Sequence, residues 1–147
     1  MRVVVQRAKE ARCIVENSVT GQIDFGYMLL VGFTHKDTQQ EIKLLAKKVM
    51  GLRIFTDDAG KLNRSIIDVK GSILAISQFT LYGDARKGNR PSFIEAMGYD
   101  LAIEMFQQFV EELRSYGVRV ETGVFGADMQ IEFTNSGPVT IILDSKE

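Results

Sequence analysis

The chain has 147 residues and a formal net charge of −1, and 45% of its residues are hydrophobic. This length and composition predict a single domain spanning residues 1–147 with a substantial apolar core, and argue against disorder. Proteins that grip long nucleic acids through their phosphates usually carry a basic excess, so we expect any nucleic-acid contact here to be local.

Cysteine content and hydropathy indicate the cellular compartment. Cys13 is the only cysteine and cannot form an internal disulfide, which is typical of a reducing compartment. The longest apolar stretch, Tyr27–Phe33, is too short to span a bilayer, and no leader-like segment is evident. We therefore expect a soluble cytoplasmic protein with no membrane partner.

The first third of the chain has the patterns of strands followed by a helix. Arg2–Gln6 and Ala11–Glu16 are predicted strands, and the nearly continuous apolar run Tyr27–Phe33 predicts a central one. A helix is predicted next, with Asp37 as its N-cap and Gly51 at its end.

Two strands and two helical segments are predicted in the middle of the chain. Leu52–Phe55 and the buried run Ser72–Ile76 have strand patterns. Ser92 is predicted to open a short turn of helix, and Asp100 to cap a longer helix that ends at Gly117.

Three strand patterns close the chain, at Val118–Glu121, Ala127–Asn135 and Val139–Leu143. Strands therefore dominate, and they do not alternate regularly with helices. The sequence predicts an α+β fold of mostly antiparallel or mixed, barrel-like β-sheets with two main helices packed outside.

No metal site and no cofactor are predicted. Asp57 and Asp58 lack a third carboxylate at the spacing of a calcium loop, and His35 has no partner histidine. The sequence also lacks a glycine-rich phosphate loop.

Small polar residues follow the buried strand Ser72–Ile76. Ser77, Gln78 and Thr80 stand where the apolar run ends, and rigid elements commonly present active-site groups from such positions. Taken alone, this stretch favours a structural role, in which Ser77 and Thr80 cap the strand and Gln78 points to solvent.

A second stretch, Asn135–Thr140 with the sequence Asn-Ser-Gly-Pro-Val-Thr, changes that interpretation. Together with Ser77-Gln-Phe-Thr80 it resembles the D-aminoacyl-tRNA deacylase family, whose signatures are Ser-Gln-Phe-Thr and Asn-x-Gly-Pro-Val-Thr. The resemblance extends in order over nearly the whole chain, through residues 1–7, 51–55, 86–93 and 121–130.

The resemblance implies hydrolysis of the ester bond of D-aminoacyl-tRNA, and of glycyl-tRNA as well, with Ser77, Gln78, Phe79 and Thr80 as the catalytic segment. His35 lies outside the matched motifs, so a Ser-His-Asp triad is not expected, and no base is evident for Thr80. We expect backbone N–H groups near Gln78 and Phe79 to face the oxyanion while Thr80 shapes the pocket. The ribose hydroxyl of the substrate would orient or activate water.

The resemblance also implies that Gly137-Pro138 distinguishes D- from L-amino acids. Proline makes a cis bond accessible, and two carbonyl oxygens pointing the same way would bind the ammonium group and leave no room for an L side chain. The alternative is an ordinary turn between two strands. Related deacylases place this dipeptide in the partner subunit's site, which implies a homodimer; Asn135, Val139 and Thr140 complete the predicted substrate-binding segment.

Arg86, Lys87 and Arg90 lie in a compact positive loop. A solvated surface loop is one interpretation, but the resemblance runs through this loop and favours an anchor for phosphates near the end of a tRNA. Ala85 departs from the family pattern, which has a hydroxyl or thiol residue there.

Two other functions are compatible with parts of the pattern. One is editing of a misacylated L-amino acid by a related deacylase, against which the Ser-Gln-Phe-Thr signature argues. The other is a non-catalytic nucleic-acid-binding module, against which the near-neutral charge and the lack of aromatic stacking motifs argue.

Overall fold

The computed structural model describes residues 1–146, and strands make up most of its regular structure. The strands are β1 (Arg2–Val15), β2 (Ser18–Gly32), β3 (Phe55–Thr56), β4 (Leu62–Arg64), β5 (Ser72–Ser77), β6 (Val120–Thr122) and β7 (Gln130–Asp144). The α-helices are α1 (Gln39–Gly51) and α2 (Tyr99–Arg114). A short 3₁₀ helix, Phe79–Tyr82, follows β5 and is called the 3₁₀ turn below.

Five of the strands form one mixed sheet in the order β6-β5-β2-β1-β7. β2 and β5 are parallel, as are β5 and β6, whereas β1 pairs antiparallel with both β2 and β7. The sheet and its two helices confirm the predicted α+β class. A separate hairpin joins β3 and β4. The strand predicted at Leu52–Phe55 overlaps β3 only at Phe55, because Leu52 caps the end of α1, and the three-residue β4 was not predicted.

β1 and β2 form one long hairpin where the sequence predicts separate strands. Arg2 pairs with Gly32 at one end and Val15 with Ser18 at the other. Glu10 has a positive φ of 52° and lies where the register of β1 against β7 shifts, between Lys9 and Arg12, so the break predicted after Gln6 is a bulge within one strand. The prediction of two strands here was wrong because a bulge and a strand end have similar sequence signals.

The two faces of the sheet carry separate apolar clusters. On one face, residues of β1, β2 and β5 pack against α1 and α2 around the buried ring of Tyr27 and the buried Phe109. On the other face, residues of β1, β2 and β5, among them Cys13, Met28 and Leu74, form a second cluster against which Ile131 and Phe133 of β7 pack. The single thiol is therefore buried packing, as its alternating pattern suggests.

The helix starts differ from the predicted caps. Thr38 caps α1, because its N–H donates to Glu41 Oε2 at 2.6 Å and its hydroxyl accepts from Gln40 N–H. Asp37 instead turns inward, where its carboxylate accepts from Thr34 N–H at 2.7 Å. Gly98 caps α2, and Asp100 stands in its first turn.

Ser92 does not open a helix. Its N–H donates to Asp84 O and its carbonyl accepts from Asp84 N–H, each at 2.8 Å. The predicted helical turn does not form because these backbone groups are already paired in a bridge across the base of the loop.

β7 is also a single strand where two were predicted. Gln6 pairs with Thr140 and Ala8 with Asn135, so residues 136–139 bulge out opposite Arg7. The expected alternative, an ordinary turn between two strands, is therefore excluded: the Gly-Pro segment stays within the edge strand.

Neither described helix is long and apolar enough to cross a membrane. Across residues 1–146, no group of three His, Cys, Asp or Glu side chains is placed to hold a metal ion.

Candidate active site

The parallel pairing of β2 and β5 delivers Ser77 to the edge of a cavity. The ladder runs from the pair Gly26–Ser72 to the pair Val31–Ser77. After Ser77 the chain leaves the sheet and enters the 3₁₀ turn. Polar groups thus appear where the buried strand ends, as the sequence indicates.

Gly32 allows the 3₁₀ turn to lie close against β2. A Cβ on Gly32 would lie 2.9 Å from the carbonyl oxygen of Gln78 and 3.2 Å from Leu81 Cβ. Any side chain here would push the turn outward, so the position of the turn depends on this glycine.

The cavity has a volume of about 520 Å³ and opens between the ends of β2 and β5, the start of α2 and the segment before β7. This is within the usual range for small-ligand sites. Its lining comprises Val31, Gly32, Phe33, Ile76, Ser77, Gln78, Phe79, Met97, Tyr99, Ala102, Phe125, Gly126, Ala127, Met129 and Ile131. That lining includes no carboxylate, histidine, lysine or arginine, so acid–base chemistry there cannot come from those side chains.

Thr80 has a hydrogen-bond partner but no base. Gln78 Nε2 donates to Thr80 Oγ1 on the exposed side of the turn. His35 is engaged elsewhere, with its Nε2 2.6 Å from Ile94 O. An activated Thr80 nucleophile would need a proton acceptor, and its recorded side-chain partner is an amide.

The backbone of this segment corrects one expectation. Gln78 N–H donates to Val31 O at 2.7 Å, so the prediction that it faces an oxyanion was wrong. The next amides are different, since the first N–H groups of a helical turn have no partner within it. The amides of Phe79 and Thr80 are therefore left without a partner within the turn.

Aromatic rings surround the cavity mouth. Phe79 is 54% exposed and packs edge-to-face against Phe93, with centroids 5.1 Å apart. Tyr99 packs in the same way against Phe125 at 5.2 Å. No sequence motif predicts these two aromatic pairs, because their four members come from four separate segments.

The segment Asn135–Thr140 is organised by local hydrogen bonds. Asn135 Oδ1 accepts from Val139 N–H at 2.9 Å, and Asn135 Nδ2 donates to Thr140 Oγ1 at 3.1 Å. The Gly137-Pro138 bond is cis, and both residues are exposed.

Arg7 fixes this segment from the neighbouring strand. Its Nε donates to Ser136 O at 2.8 Å, and its Nη1 donates to Ile54 O at 2.9 Å. Gly137 has a φ of +136°, and a Cβ there would lie 2.8 Å from Val139 Cγ2 and 3.0 Å from Arg7. Sequence reasoning matched Arg7 only as part of the opening segment and missed this role.

The two motifs do not meet within one chain. β7 reaches the cavity near its start, at Ile131. No residue of 135–140 is among those lining the cavity. Ser77, Gln78 and Phe79 are thus brought together, with Thr80 beside them, while Gly137 and Pro138 stand apart.

The basic loop is tied at its base by the Asp84–Ser92 bridge. Arg86 is 89% exposed yet paired, donating to both carboxylate oxygens of Asp84 at 2.9 and 2.7 Å. These hydrogen bonds lower the pKa of Asp84 to about 2, so the pair is ionised at neutral pH. Lys87 and Arg90 are exposed and form no ion pair within residues 1–146.

The family model described as D-Tyr-tRNA(Tyr) deacylase matches residues 4–144. The chain belongs to the D-Tyr-tRNA(Tyr) deacylase family. Its match covers both signature segments, which confirms the resemblance identified from the residues.

Curated relatives and solved structures agree with this family. A protein of Anoxybacillus flavithermus named D-aminoacyl-tRNA deacylase is 57% identical over 146 residues, covering 99% of this chain and all of that one. A protein of the same name from Thermus aquaticus is 53% identical, covering 100% and 97%.

The structure of a protein described as c-Myc DNA Unwinding Element Binding Protein superimposes with a TM-score of 0.93 at 39% identity, covering 99% of each chain. A structure described as a probable eukaryotic D-amino acid tRNA deacylase superimposes with a TM-score of 0.83 at 20% identity, covering 97% of each chain, and supports the fold alone.

A Cβ at Gly32 should disturb the deacylase site more than the fold. We expect Gly32→Ala to lower deacylase activity on the order of 10- to 100-fold, because the clash displaces the Gln78 carbonyl and the turn attached to it. Steady-state kinetics and chemical denaturation measure the two effects.

Gly51→Ala is the matched control, because a Cβ on Gly51 would meet no atom within 4 Å. Full activity of Gly32→Ala would show that the turn tolerates displacement.

Proposed function

We propose that this protein hydrolyses the ester bond of D-aminoacyl-tRNA, and of glycyl-tRNA, in a single deacylase domain spanning the chain. The observation that carries the proposal is a ligand-sized cavity, lined by no carboxylate, histidine, lysine or arginine, at the end of a strand bearing the Ser77–Thr80 signature. Membership of the deacylase family supports it. Because charged tRNA is a cytoplasmic substrate, the activity implies a cytoplasmic protein.

The first step is attack of water on the ester carbonyl carbon, which creates a tetrahedral oxyanion. The amide of Phe79, with that of Thr80 beside it, stabilises this oxygen, and one preorganised donor contributes on the order of 3 kcal/mol. The intermediate then releases the ribose oxygen, so the free amino acid and tRNA leave.

Proton transfer in this scheme depends on the substrate. The cavity lining offers no carboxylate, histidine or amine, so the vicinal ribose hydroxyl orients the water and relays its proton to the leaving oxygen. Thr80, held by the Gln78 side chain, shapes the pocket rather than attacking the ester.

The Gly137-Pro138 segment is proposed to exclude L-amino acids. Gly137 presents its backbone to solvent without a Cβ, and Arg7 fixes the preceding carbonyl. Backbone held this rigidly can bind the ammonium group of the substrate and obstruct the space that an L side chain would need. Asn135, Val139 and Thr140 support the segment through the hydrogen bonds described above.

This exclusion requires a second copy of the chain. The segment is remote from the Ser77–Thr80 site of its own chain, so it serves the site of a partner in a homodimer. The sheet face opposite the helices supports this pairing. Leu30, Val4 and Ile142 form an apolar row across β2, β1 and β7 on that face, and Ile142 is 66% exposed.

We expect tRNA charged with D-tyrosine to be deacylated at least about 100-fold faster than tRNA charged with L-tyrosine, because the obstruction is steric. Thr80→Ala should retain part of the activity, since the amides that stabilise the oxyanion remain. Release of labelled amino acid measures both rates.

Thr134→Ala, an exposed position on β7, serves as the control. Equal rates on D- and L-charged tRNA would refute chiral selection, and an acyl group trapped on Thr80 would refute the water mechanism. A terminal 2′-deoxyadenosine should abolish turnover if the ribose hydroxyl takes part.

The shared site can be tested by mixing inactive subunits. Gly32→Ala displaces the 3₁₀ turn and Gly137→Ala strains the Gly137-Pro138 segment, so each variant homodimer should have low deacylase activity. After subunits exchange at equal amounts, mixed dimers should carry one intact site each, restoring about a quarter of the wild-type activity.

No recovery after verified exchange would place both motifs of each site in one chain. Mixing two preparations of Gly137→Ala is the control, because no combination of those subunits supplies an unstrained Gly137-Pro138 segment.

The basic loop is proposed to hold phosphates near the end of the tRNA. Lys87→Ala and Arg90→Ala should each weaken tRNA binding and reduce the slope of log affinity against log salt by about 0.7 to 0.9. Asp84→Asn should strengthen tRNA binding and increase that slope, because it frees Arg86 from its ion pair. Binding measured over a salt series tests these shifts.

Lys47→Ala, on the exposed side of α1, is the control. The ratio of D- to L-substrate rates should stay constant in every variant. A changed ratio with an unchanged salt slope would assign the loop to the amino-acid pocket instead.

A further inference from the structure

Arg2 connects the two terminal strands to the 3₁₀ turn. Its Nε donates to Asp144 Oδ2 at 2.9 Å, and a second guanidinium nitrogen lies 2.9 Å from the same oxygen. Its Nη1 donates to Leu81 O at 2.7 Å. One partly buried side chain therefore ties β1 and β7 to the carbonyl that follows Phe79 and Thr80.

The flat face of the guanidinium makes a further contact. It lies over the ring of Tyr82, 4.8 Å from the centroid. The Tyr82 hydroxyl is buried without a hydrogen-bond partner in residues 1–146, so the stacked guanidinium, rather than a hydrogen bond of the hydroxyl, fixes that ring.

The 3₁₀ turn is thus held at both ends. At its start, Gln78 N–H donates to Val31 O, and Gly32 allows close contact. At its end, Arg2 holds the carbonyl of Leu81 and the ring of Tyr82. The amides of Phe79 and Thr80 lie between these attachments, so their direction depends on both.

We propose that Arg2 is a positioning residue for the deacylation reaction, acting through the 3₁₀ turn without touching the substrate. This inference rests on the proposed function. Lysine cannot reproduce the arrangement, because a single ammonium lacks the planar fork that reaches Asp144 and Leu81 while stacking on Tyr82.

A matched arginine exists on the same pair of strands. Arg12 bridges β1 and β7 by donating to Glu132 Oε2 at 2.7 Å, but it makes no contact with the 3₁₀ turn. Arg12→Lys therefore removes a cross-strand pair made through the same two guanidinium nitrogens, although a more exposed one, and leaves the turn untouched.

The experiment compares kcat, KM and melting temperature for wild type, Arg2→Lys and Arg12→Lys on D-tyrosyl-tRNA. We expect Arg2→Lys to lower kcat on the order of 10- to 100-fold, because a displaced donor stabilises the oxyanion poorly. Its KM should stay within about twofold of wild type, since no substrate contact is lost. Arg12→Lys should keep the wild-type kcat.

Three outcomes would overturn the inference: an unchanged kcat in Arg2→Lys, a rise in KM alone, or equal losses in both arginine variants. If Arg2→Lys does not fold, Tyr82→Leu replaces it under the same criteria, because it removes the stacked ring and keeps the Asp144 pair. An inactive wild type would instead refute the proposed function, so the two failures are distinguishable.

Discussion

The parallel pairing of β2 with β5 is the constraint on which the site depends. It requires Gly26 at its start, because a Cβ there would lie 1.8 Å from the carbonyl oxygen of Ser72. From that contact the register runs without a break to Val31 and Ser77, so the last residue of β5 emerges beside the end of β2. Everything the site offers follows from this endpoint: the hydrogen bond from Gln78, the 3₁₀ turn and the amides of Phe79 and Thr80.

At the opposite edge of the sheet, β7 carries an irregular segment. There the ladder between β1 and β7 opens opposite Arg7, and the four residues 136–139 take up a shape that regular pairing would not allow. The guanidinium of Arg7 replaces the missing ladder contacts by holding Ser136 O. A rigid but irregular segment on an exposed edge can serve another molecule, whereas the same segment inside the sheet could not. This geometry supports the proposal that the segment serves the site of a second subunit.

Much of the fold and of the site was predictable from the sequence, and the failures have a common cause. Periodicity identified the buried strand Ser72–Ile76, and short motifs identified the family. The errors lie where two local solutions compete. Asp37 and Thr38 can both cap α1. Thr38 is the cap because the Asp37 carboxylate instead accepts a hydrogen bond from the buried Thr34 N–H. Likewise, the backbone N–H of Gln78 donates to Val31 O because the register of β2 against β5 places that carbonyl next to it, and no sequence pattern reveals this register.

The chemistry of the site follows from what its cavity lining lacks. An ionisable side chain inside this mostly apolar cavity would lose hydration, and its charge would respond to every change in the bound amino acid. Backbone amides carry no such cost, since their positions are set by the sheet and by the turn, and they do not titrate. A site built from amides can therefore treat different side chains alike. Its selectivity must then come from shape, and the Gly137-Pro138 segment of a second subunit is proposed to supply that shape.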